Sequence, residues 1–281
     1  MTQTIAELVA ALGSESESVQ IRALGRLMTR VVDDPQAAAE LRAVLTEERR
    51  RPANVIGITG PPGAGKSTLT DALISRWLHR DPHHRIVVLA VDPSSPFTGG
   101  AILGDRVRMM RHALDRRVFI RSLATRGELG GLCRGVADVL VAAALWGADT
   151  VIIETVGVGQ NEIDVARLAD TTCLVLAPGQ GDGVQWLKSG LMEIGDLYVV
   201  NKSDREGAAT LVAQLSSAVE RMQMLARRRK HSAPFAANNM KQSNKGTVEG
   251  PPVLAVSAET GDGIDALLNR LHILPETADH V

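Results

Sequence analysis

Seven short apolar runs between residues 55 and 256 constrain the fold of this chain most strongly. The runs are rich in β-branched residues, and spacers of helical length separate most of them: Val55–Thr59, Ile86–Val91, Val118–Leu123, Thr150–Thr155, Cys173–Ala177, Leu197–Val200 and Val253–Val256. Continuous apolar runs of this length are typical of strands buried on both faces, as in a parallel sheet covered by helices. The pattern predicts an α/β fold, a doubly wound and mostly parallel seven-stranded sheet. Ligands of such folds bind at the carboxyl ends of the strands, so functional residues should follow the runs.

The residues before the first run predict an N-terminal helical extension. Ser14 and Glu17 fit a capping box, and Asp34 followed by Pro35 fits the start of another helix. One apolar stripe has helical spacing: Val19, Ala23, Leu24, Leu27, Met28 and Val31. Pro52 marks a boundary. We therefore expect a helical extension over 1–51, the α/β domain over 52–275 and a short tail over 276–281.

Composition excludes several classes of function. The chain has 281 residues, a formal net charge of −1 and 2% aromatic residues, so it offers no electrostatic attraction to nucleic acid or anionic membranes and few rings for base stacking. The longest apolar run, Val139–Trp146, is too short to span a membrane, and the first residues lack the basic segment of an export signal. Cys133 and Cys173 are expected to be buried, reduced thiols. These features favour a cytoplasmic protein that handles small molecules.

A phosphate-binding loop follows the first run. Its residues match the pattern G-x-x-x-x-G-K-[ST] between a strand and a helix: Gly60, Pro61, Pro62, Gly63, Ala64, Gly65, Lys66, Ser67 and Thr68. Backbone N–H groups of such a loop point at phosphate, and the helix that follows adds its positive N-terminal end. Lys66 would neutralise the β- and γ-phosphates, and Ser67 would bind Mg²⁺. The loop lacks the third glycine of a dinucleotide fingerprint, so the sequence predicts a nucleoside triphosphate site.

The loop after the sixth run predicts that the base is guanine. Asp204 can accept hydrogen bonds from both N1–H and the exocyclic amine of guanine, whereas adenine presents neither donor there. Lys202 would lie along the base, and Asn201 would connect this loop to the phosphate loop. Ser257 and Ala258 follow the last run and fit the second guanine-side loop of GTPases.

Three carboxylates at or after strand ends are candidates for the magnesium site. Glu154 lies near the end of the fourth run, directly after Ile153, Asp92 follows the second run, and Asp105 lies further along the next loop. Gly157 can donate its backbone N–H to the γ-phosphate, and Gln160 is a candidate for ordering the attacking water, although a plain loop role fits it equally. Mg²⁺ retains several waters, so not every carboxylate needs to contact the metal.

These motifs together resemble one family. Val91-Asp-Pro-Ser-Ser-Pro96, Gly99-Gly-Ala-Ile-Leu-Gly-Asp105, Glu154-Thr-Val-Gly-Val-Gly-Gln160 and Asn201-Lys-Ser-Asp204 follow the phosphate loop in this order. Over about residues 20 to 272 the chain resembles the methylmalonyl-CoA mutase-associated GTPases, the MeaB/ArgK-type P-loop proteins of the SIMIBI class, once labelled arginine/ornithine transport ATPases. The resemblance implies a chaperone that uses GTP to gate delivery of adenosylcobalamin to a cobalamin-dependent acyl-CoA mutase and to protect that mutase.

The resemblance also implies roles for particular residues. It assigns Lys66 and Ser67 to phosphate and Mg²⁺. The magnesium and switch carboxylates would be Asp92, Asp105 and Glu154. The base readers would be Asn201, Lys202 and Asp204. Asp182, Gln185 and Lys188 resemble the loop through which the family signals to the mutase, with Gly183 where the family usually has glutamate. An exposed loop and helix start is the alternative for those three residues. Because the sequence stops about ten residues after Leu271, we expect it to lack the helical dimerisation arm that the resemblance implies, so a homodimer stays open, as do a monomer and a dimer through another surface.

Catalysis is expected to be slow without a partner. The sequence shows no cis arginine finger and no obvious water-positioning residue, so we expect a bound mutase to accelerate or gate turnover. The segments 92–105 and 177–188 are expected to change order with the nucleotide.

Other functions stay open at this point. One is a nickel metallochaperone, for which His79, His83 and His84 in an expected surface turn are the only candidate ligands. Others are a kinase or transport ATPase, and a nucleotide-binding module without turnover. The basic run Arg227–Lys230 is expected to end a helix before a loop over 231–250. The sequence does not indicate which acyl-CoA mutase is served, or whether a cobalamin adenosyltransferase joins the complex.

Overall fold

A computed structural model describes most of the chain: residues 3–44, 52, 54–92, 110–112, 114–124, 131–155, 157, 161–179, 190–232 and 252–273. Several residues singled out above lie outside this part: Asp105, Gln160, Asp182, Gln185, Lys188, and the side chains of Asp92 and Cys133. Within the described part, no helix is both long enough and apolar enough to cross a membrane.

Seven parallel strands form one sheet, as predicted. The strands are β1 (Asn54–Thr59), β2 (Ile86–Asp92), β3 (Val118–Ala124), β4 (Thr150–Thr155), β5 (Thr171–Leu176), β6 (Leu197–Val200) and β7 (Val253–Ala255). Their order across the sheet is β3-β2-β4-β1-β5-β6-β7. β1 is therefore central, with β4 on one side and β5 on the other. The ends of these three strands meet at one edge of the sheet, where the nucleotide site was predicted.

Helices cover both faces of the sheet. They are α1 (Ile5–Leu12), α2 (Glu17–Asp33), α3 (Pro35–Val44), α4 (Lys66–Arg80), α5 (Gly131–Trp146), α6 (Asn161–Leu168), α7 (Ala208–Ser232) and α8 (Ile264–Ile273). Alternate side chains of the strands point to opposite faces. Val55 belongs to the core under α1–α3, α5 and α6, whereas its neighbour Ile56 belongs to the core under α4 and α8. α7 packs with Leu174 and Tyr198 near the other end of the sheet.

The N-terminal segment forms helices as predicted, but one predicted helix cap is wrong. The predicted capping box at Ser14 is wrong, because α2 begins at Glu17 itself, and the side chain of its N-cap residue, Ser16, makes no capping hydrogen bond. Ser14 Oγ instead accepts the Ser16 N–H at 3.2 Å. A capping box does exist at the start of α1, between Thr4 and Glu7.

The other helix start in this region is as predicted. α3 begins at Pro35, and Asp34 Oδ1 accepts the Gln36 N–H at 2.9 Å. The predicted apolar stripe of α2 is buried except for Val19, which is half-buried. These three helices pack on α5, where Arg42 forms an ion pair with buried Asp138 at 2.7 Å.

Two further predictions concern single side chains. Cys173 is buried as expected, and this burial raises the pKa of its thiol to about 12. His84 ends the expected surface turn, since its N–H donates to the Asp81 carbonyl oxygen at 3.3 Å, but its side chain is buried. The ring stacks on Trp77 with ring centroids 6.0 Å apart, and its Nε2 lies 2.9 Å from Thr150 Oγ1. The expectation of a solvated His84 is therefore wrong. The residue lies two positions before β2, and its ring packs between Trp77 of α4 and Thr150 of β4.

Candidate nucleotide-binding site

The phosphate loop connects β1 to α4 at the centre of the sheet edge. Gly65 precedes α4 with φ of 87°, a left-handed conformation that favours glycine. A Cβ atom at Gly65 would also lie 2.5 Å from the amide nitrogen of Asn201, on the guanine-side loop. The glycine is therefore needed both for the backbone conformation and for the close approach of the two loops.

Lys66 begins α4 and is buried within the phosphate loop. Its Nζ donates to the carbonyl oxygens of Gly60 at 2.8 Å and Pro61 at 3.1 Å. Charge-assisted hydrogen bonds to phosphate are stronger than bonds to neutral carbonyls. The Lys66 ammonium group is thus held where it could bind a β- or γ-phosphate.

Glu154, near the end of β4, is held by two hydroxyl groups of α4. It is 5% exposed; Ser67 Oγ donates to its Oε1 at 2.5 Å, and Thr70 Oγ1 donates to its Oε2 at 3.0 Å. Because Ser67 donates its proton to the carboxylate, the lone pairs of its oxygen stay free for a metal ion. Sequence reasoning missed Thr70, although its position three residues after Ser67 on a helix places both hydroxyls on one face.

The oxygen donors fit Mg²⁺, which prefers hard oxygen ligands and retains waters. Ser67 and Glu154 lie in contact and could both hold the ion. Asp92 ends β2, the strand beside β4, but its side chain and Asp105 lie outside the described residues. Across the parts of the chain that the structure covers, no group of three or more His, Cys, Asp or Glu side chains could hold a metal ion.

Gly157 brings the segment after β4 onto the phosphate loop. Its φ is 91°, and a Cβ atom there would lie 1.8 Å from the Gly60 carbonyl oxygen and 3.0 Å from Lys66 Nζ. No side chain fits in this space. The backbone of Gly157 therefore lies directly beside the predicted phosphate position.

Asn201 connects the guanine-side loops to the phosphate loop. Its amide nitrogen donates to the carbonyl oxygens of Ala64 at 3.0 Å and Gly65 at 3.3 Å. Its Oδ1 accepts the N–H groups of Lys202 at 2.8 Å and Ala258 at 3.1 Å. One buried side chain thus holds three loops together.

Lys202 and Asp204 extend from this junction. Lys202 has φ of 57°, and its Nζ donates to the Gly63 carbonyl oxygen at 2.7 Å. Asp204 is exposed at the edge of the pocket. A hydrogen bond from the Ser257 side chain is the main cause that lowers the pKa of Asp204. The Ser257 hydroxyl also accepts the Thr260 N–H at 3.2 Å, so Asp204 is held as the carboxylate that guanine recognition requires.

Glu162 is a residue of the site that sequence reasoning missed. It lies in the first turn of α6, is 0% exposed, and has no well-formed hydrogen bond to either carboxylate oxygen among the described residues. The available signal was its spacing: Glu162, Val165 and Ala169 share one helical face, and the two apolar members are buried. An acidic residue on the buried stripe of a helix that follows a site loop is a candidate for function.

The remaining predicted residues occupy ordinary positions in these loops. Pro62 is exposed in the phosphate loop, and Thr68 is exposed on α4. Pro61 and Ala64 are buried. The structure therefore brings the phosphate-side and guanine-side residues into one site, except for those outside the described part.

The fold and the two joined loops are those of a P-loop nucleotide-binding protein. Residues 24–280 match the family described as Methylmalonyl Co-A mutase-associated GTPase MeaB, and the chain belongs to this family. The family resemblance predicted from the sequence is thus confirmed.

Relatives with provisional GTPase names support this assignment. A Pyrococcus abyssi protein is 50% identical over 199 residues, covering 71% of this chain and 60% of the relative. A Caulobacter vibrioides protein is 38% identical over 250 residues, covering 89% of this chain and 70% of the relative. The Caenorhabditis elegans protein named methylmalonic aciduria type A homolog, mitochondrial, is 41% identical over 172 residues, covering 58% of this chain and 43% of the relative. The chain thus matches about 60% of the length of the archaeal relative.

Solved structures confirm the fold. A structure named LAO/AO transport system kinase has a TM-score of 0.64 at 24% identity and covers 96% of this chain and 74% of its own. HypB from Helicobacter pylori, solved in complex with nickel, has a TM-score of 0.54 at 17% identity and covers 87% of this chain and 97% of its own. At these identities the likeness concerns the fold alone.

Proposed function

We propose that this chain binds and hydrolyses GTP with Mg²⁺, and that it thereby gates adenosylcobalamin delivery to a cobalamin-dependent acyl-CoA mutase, which it also protects. One observation carries the nucleotide part of the proposal: Asn201 hydrogen-bonds the N-K-x-D loop directly to the phosphate loop. The base reader and the phosphate binder therefore belong to one pocket of fixed spacing. The mutase part depends on the family, whose description names this partner.

Different residues of the pocket bind the phosphates, the metal ion and the base. Backbone N–H groups of the phosphate loop and the Lys66 ammonium bind the β- and γ-phosphates. Ser67 and Glu154 would hold the ion, and Mg²⁺ supplies charge neutralisation at the phosphate oxygens when bound. Asp204 selects guanine, and the Lys202 side chain lies between the base site and Gly63 of the phosphate loop.

The guanine loop disfavours a kinase or ATPase, since adenine would leave the Asp204 carboxylate without donors. A surface nickel site built from three histidines is disfavoured too, because His84 is buried against Trp77. The fold likeness to HypB does not change this.

The nucleotide part is tested by changing the base reader. Titration calorimetry should show a strong preference for GDP over ADP, and Asp204→Asn should transfer this preference to xanthosine diphosphate, whose C2 carbonyl accepts from an asparagine amide. Glu259→Gln, at an exposed residue near the same loop, is the matched control. Equal affinities for GDP and ADP in the unmodified chain would contradict the proposal.

The mutase part is tested by single-turnover hydrolysis. We expect slow hydrolysis by the chain alone and a changed rate in the presence of the partner mutase, because the family pairs a GTPase with that enzyme. Candidate mutases are first identified by pull-down with GDP and with a non-hydrolysable GTP analogue. Fast and equal rates with and without every mutase tested would rule out a partner-gated switch.

A further inference from the structure

Glu162 is a buried carboxylate that no role described so far explains. It is fully buried in the first turn of α6, and neither of its side-chain oxygens has a hydrogen-bonding partner on another residue of the described part. Burying a charge without a partner costs several kcal/mol, on the order of the whole stability of many domains. Most such groups in proteins have a partner. A partner that arrives with the nucleotide would account for this one.

The packing of α6 places Glu162 toward the phosphate loop. A Cβ atom at Gly57 in β1 would lie 2.9 Å from Val165 Cγ1 and 3.2 Å from Ala169 Cβ, so α6 lies directly on β1. Glu162 is one helical turn before Val165, at the end of α6 that follows β4 and Gly157. The carboxyl ends of β4 and β1 form the edge that carries the phosphate loop.

The electrostatic environment of Glu162 also places it near the phosphate loop. Burial raises the pKa of Glu162, and the interaction with its own backbone N–H and the positive charge of Lys66 oppose this rise. The Lys66 charge can act on Glu162 in this way only if the two groups are near each other. Since Lys66 Nζ lies against Gly60 and beside Gly157, this proximity places Glu162 near the phosphate end of the site.

Glu154 is the other buried carboxylate of the site, and both of its oxygens are engaged. Ser67 donates to one and Thr70 to the other. Glu162, by contrast, has acceptor positions to offer to a water molecule. Among the described residues, the site thus offers one buried carboxylate suited to the metal, Glu154, and another suited to water, Glu162.

We propose that Glu162 is a catalytic residue of GTP hydrolysis, accepting a hydrogen bond from the attacking water and then one of its protons. The water oxygen forms a bond to the γ-phosphorus, and the bond from that phosphorus to the β–γ bridging oxygen breaks. The bridging oxygen leaves with the electron pair as part of GDP. The proton on Glu162 then passes to the released inorganic phosphate. This inference rests on the proposed placement of the triphosphate in the phosphate loop.

The variant Glu162→Gln tests this role, because glutamine has the same size but cannot accept a proton. Single-turnover GTP hydrolysis should slow by at least about 100-fold, the usual contribution of a general base. Affinities for GDP and for a non-hydrolysable GTP analogue should change less than about threefold, since the water is bound only for the reaction. Glu220→Gln, at an exposed residue of α7, is the matched control and should leave the rate unchanged.

The dependence of the rate on pH provides a second readout that a structural role would not change. The hydrolysis rate of the unmodified chain should rise with pH as Glu162 loses its proton, above the usual range for a glutamic acid because its pKa is raised. This rise should be absent from Glu162→Gln. GDP-induced stabilisation against heat shows that the variant is folded.

Three results would overturn the inference. The first is hydrolysis by Glu162→Gln within threefold of the unmodified rate; the second is an unchanged pH profile; the third is an equal loss of hydrolysis and GDP affinity, which would indicate a structural role. In each case the unmodified chain still binds and hydrolyses GTP, so the proposed function stands. If the unmodified chain shows no preference for guanine nucleotides, the proposed function fails and the inference fails with it.

Discussion

Replacing Asn201 by alanine should destabilise the nucleotide-free protein strongly. The Asn201 side chain is 2% exposed and makes four hydrogen bonds: two to carbonyl oxygens of the phosphate loop and two from N–H groups of the guanine-side loops. Alanine removes all four. The backbone groups of Ala64, Lys202 and Ala258 then lose a partner in a region closed to solvent on several sides.

The expected loss follows from ordinary hydrogen-bond energies. A hydrogen bond contributes about 1 kcal/mol to stability, and leaving a buried group unpaired costs about 1–3 kcal/mol. Because one of the four bonds is long, at 3.3 Å, we expect a loss of about 3–4 kcal/mol. For a domain of this size, that loss corresponds to a melting temperature lower by about 6–16 °C.

Thermal and urea unfolding without nucleotide measure this loss directly. The matched control is Asn269→Ala, because Asn269 is exposed and accepts one hydrogen bond from Arg80, so its loss should stay below about 0.5 kcal/mol. An Asn201→Ala variant within about 1 kcal/mol of the unmodified chain would refute the reasoning that this side chain holds the three loops together.

Two further predictions concern α4 and α6. Thr70→Val should slow GTP hydrolysis by about 10–100-fold, because Glu154 loses one of the donors that orient it. The affinity for GDP, measured with a metal chelator present, should not change. Thr210→Val on α7 is the control, and an unchanged rate for Thr70→Val would contradict the prediction. Gly57→Ala should cost about 1–3 kcal/mol in unfolding experiments, because its Cβ would lie 2.9 Å from Val165 Cγ1. Gly135→Ala in α5, with no atom within 4 Å, should instead stabilise by about 0.5–1 kcal/mol, and equal effects would contradict the packing argument.

The strands and the site loops could be predicted from the sequence because their signals are local. Each buried strand is a continuous apolar run, and the loops carry residue types at fixed spacing: the phosphate loop Gly60–Thr68 and the loop Asn201–Asp204. All seven predicted runs are strands in the structure, with bounds that differ by a few residues at most.

Glu162 and Thr70 could not be predicted because their environments depend on tertiary packing. Glu162 is buried only since α6 lies on β1, and Thr70 meets Glu154 only since β4 adjoins β1. The error at His84 has the same origin: the residue follows polar neighbours in the chain, but the fold places its ring against Trp77. At Ser14 the error is local: two serines, Ser14 and Ser16, precede α2, and only Ser14 has a glutamate three residues later, as a capping box requires, whereas the N-cap residue is Ser16.

The central place of β1 has a consequence for how the protein acquires its function. β1 pairs with β4 and β5, whose residues follow about 100 positions later during synthesis, so the pocket is completed only after most of the polypeptide has emerged. Long-range pairings of this kind slow folding. A guanine nucleotide that binds only the finished pocket adds about 2.7 kcal/mol of stability at a hundred times its dissociation constant. Supplying GDP during expression and purification should therefore raise the yield of folded protein.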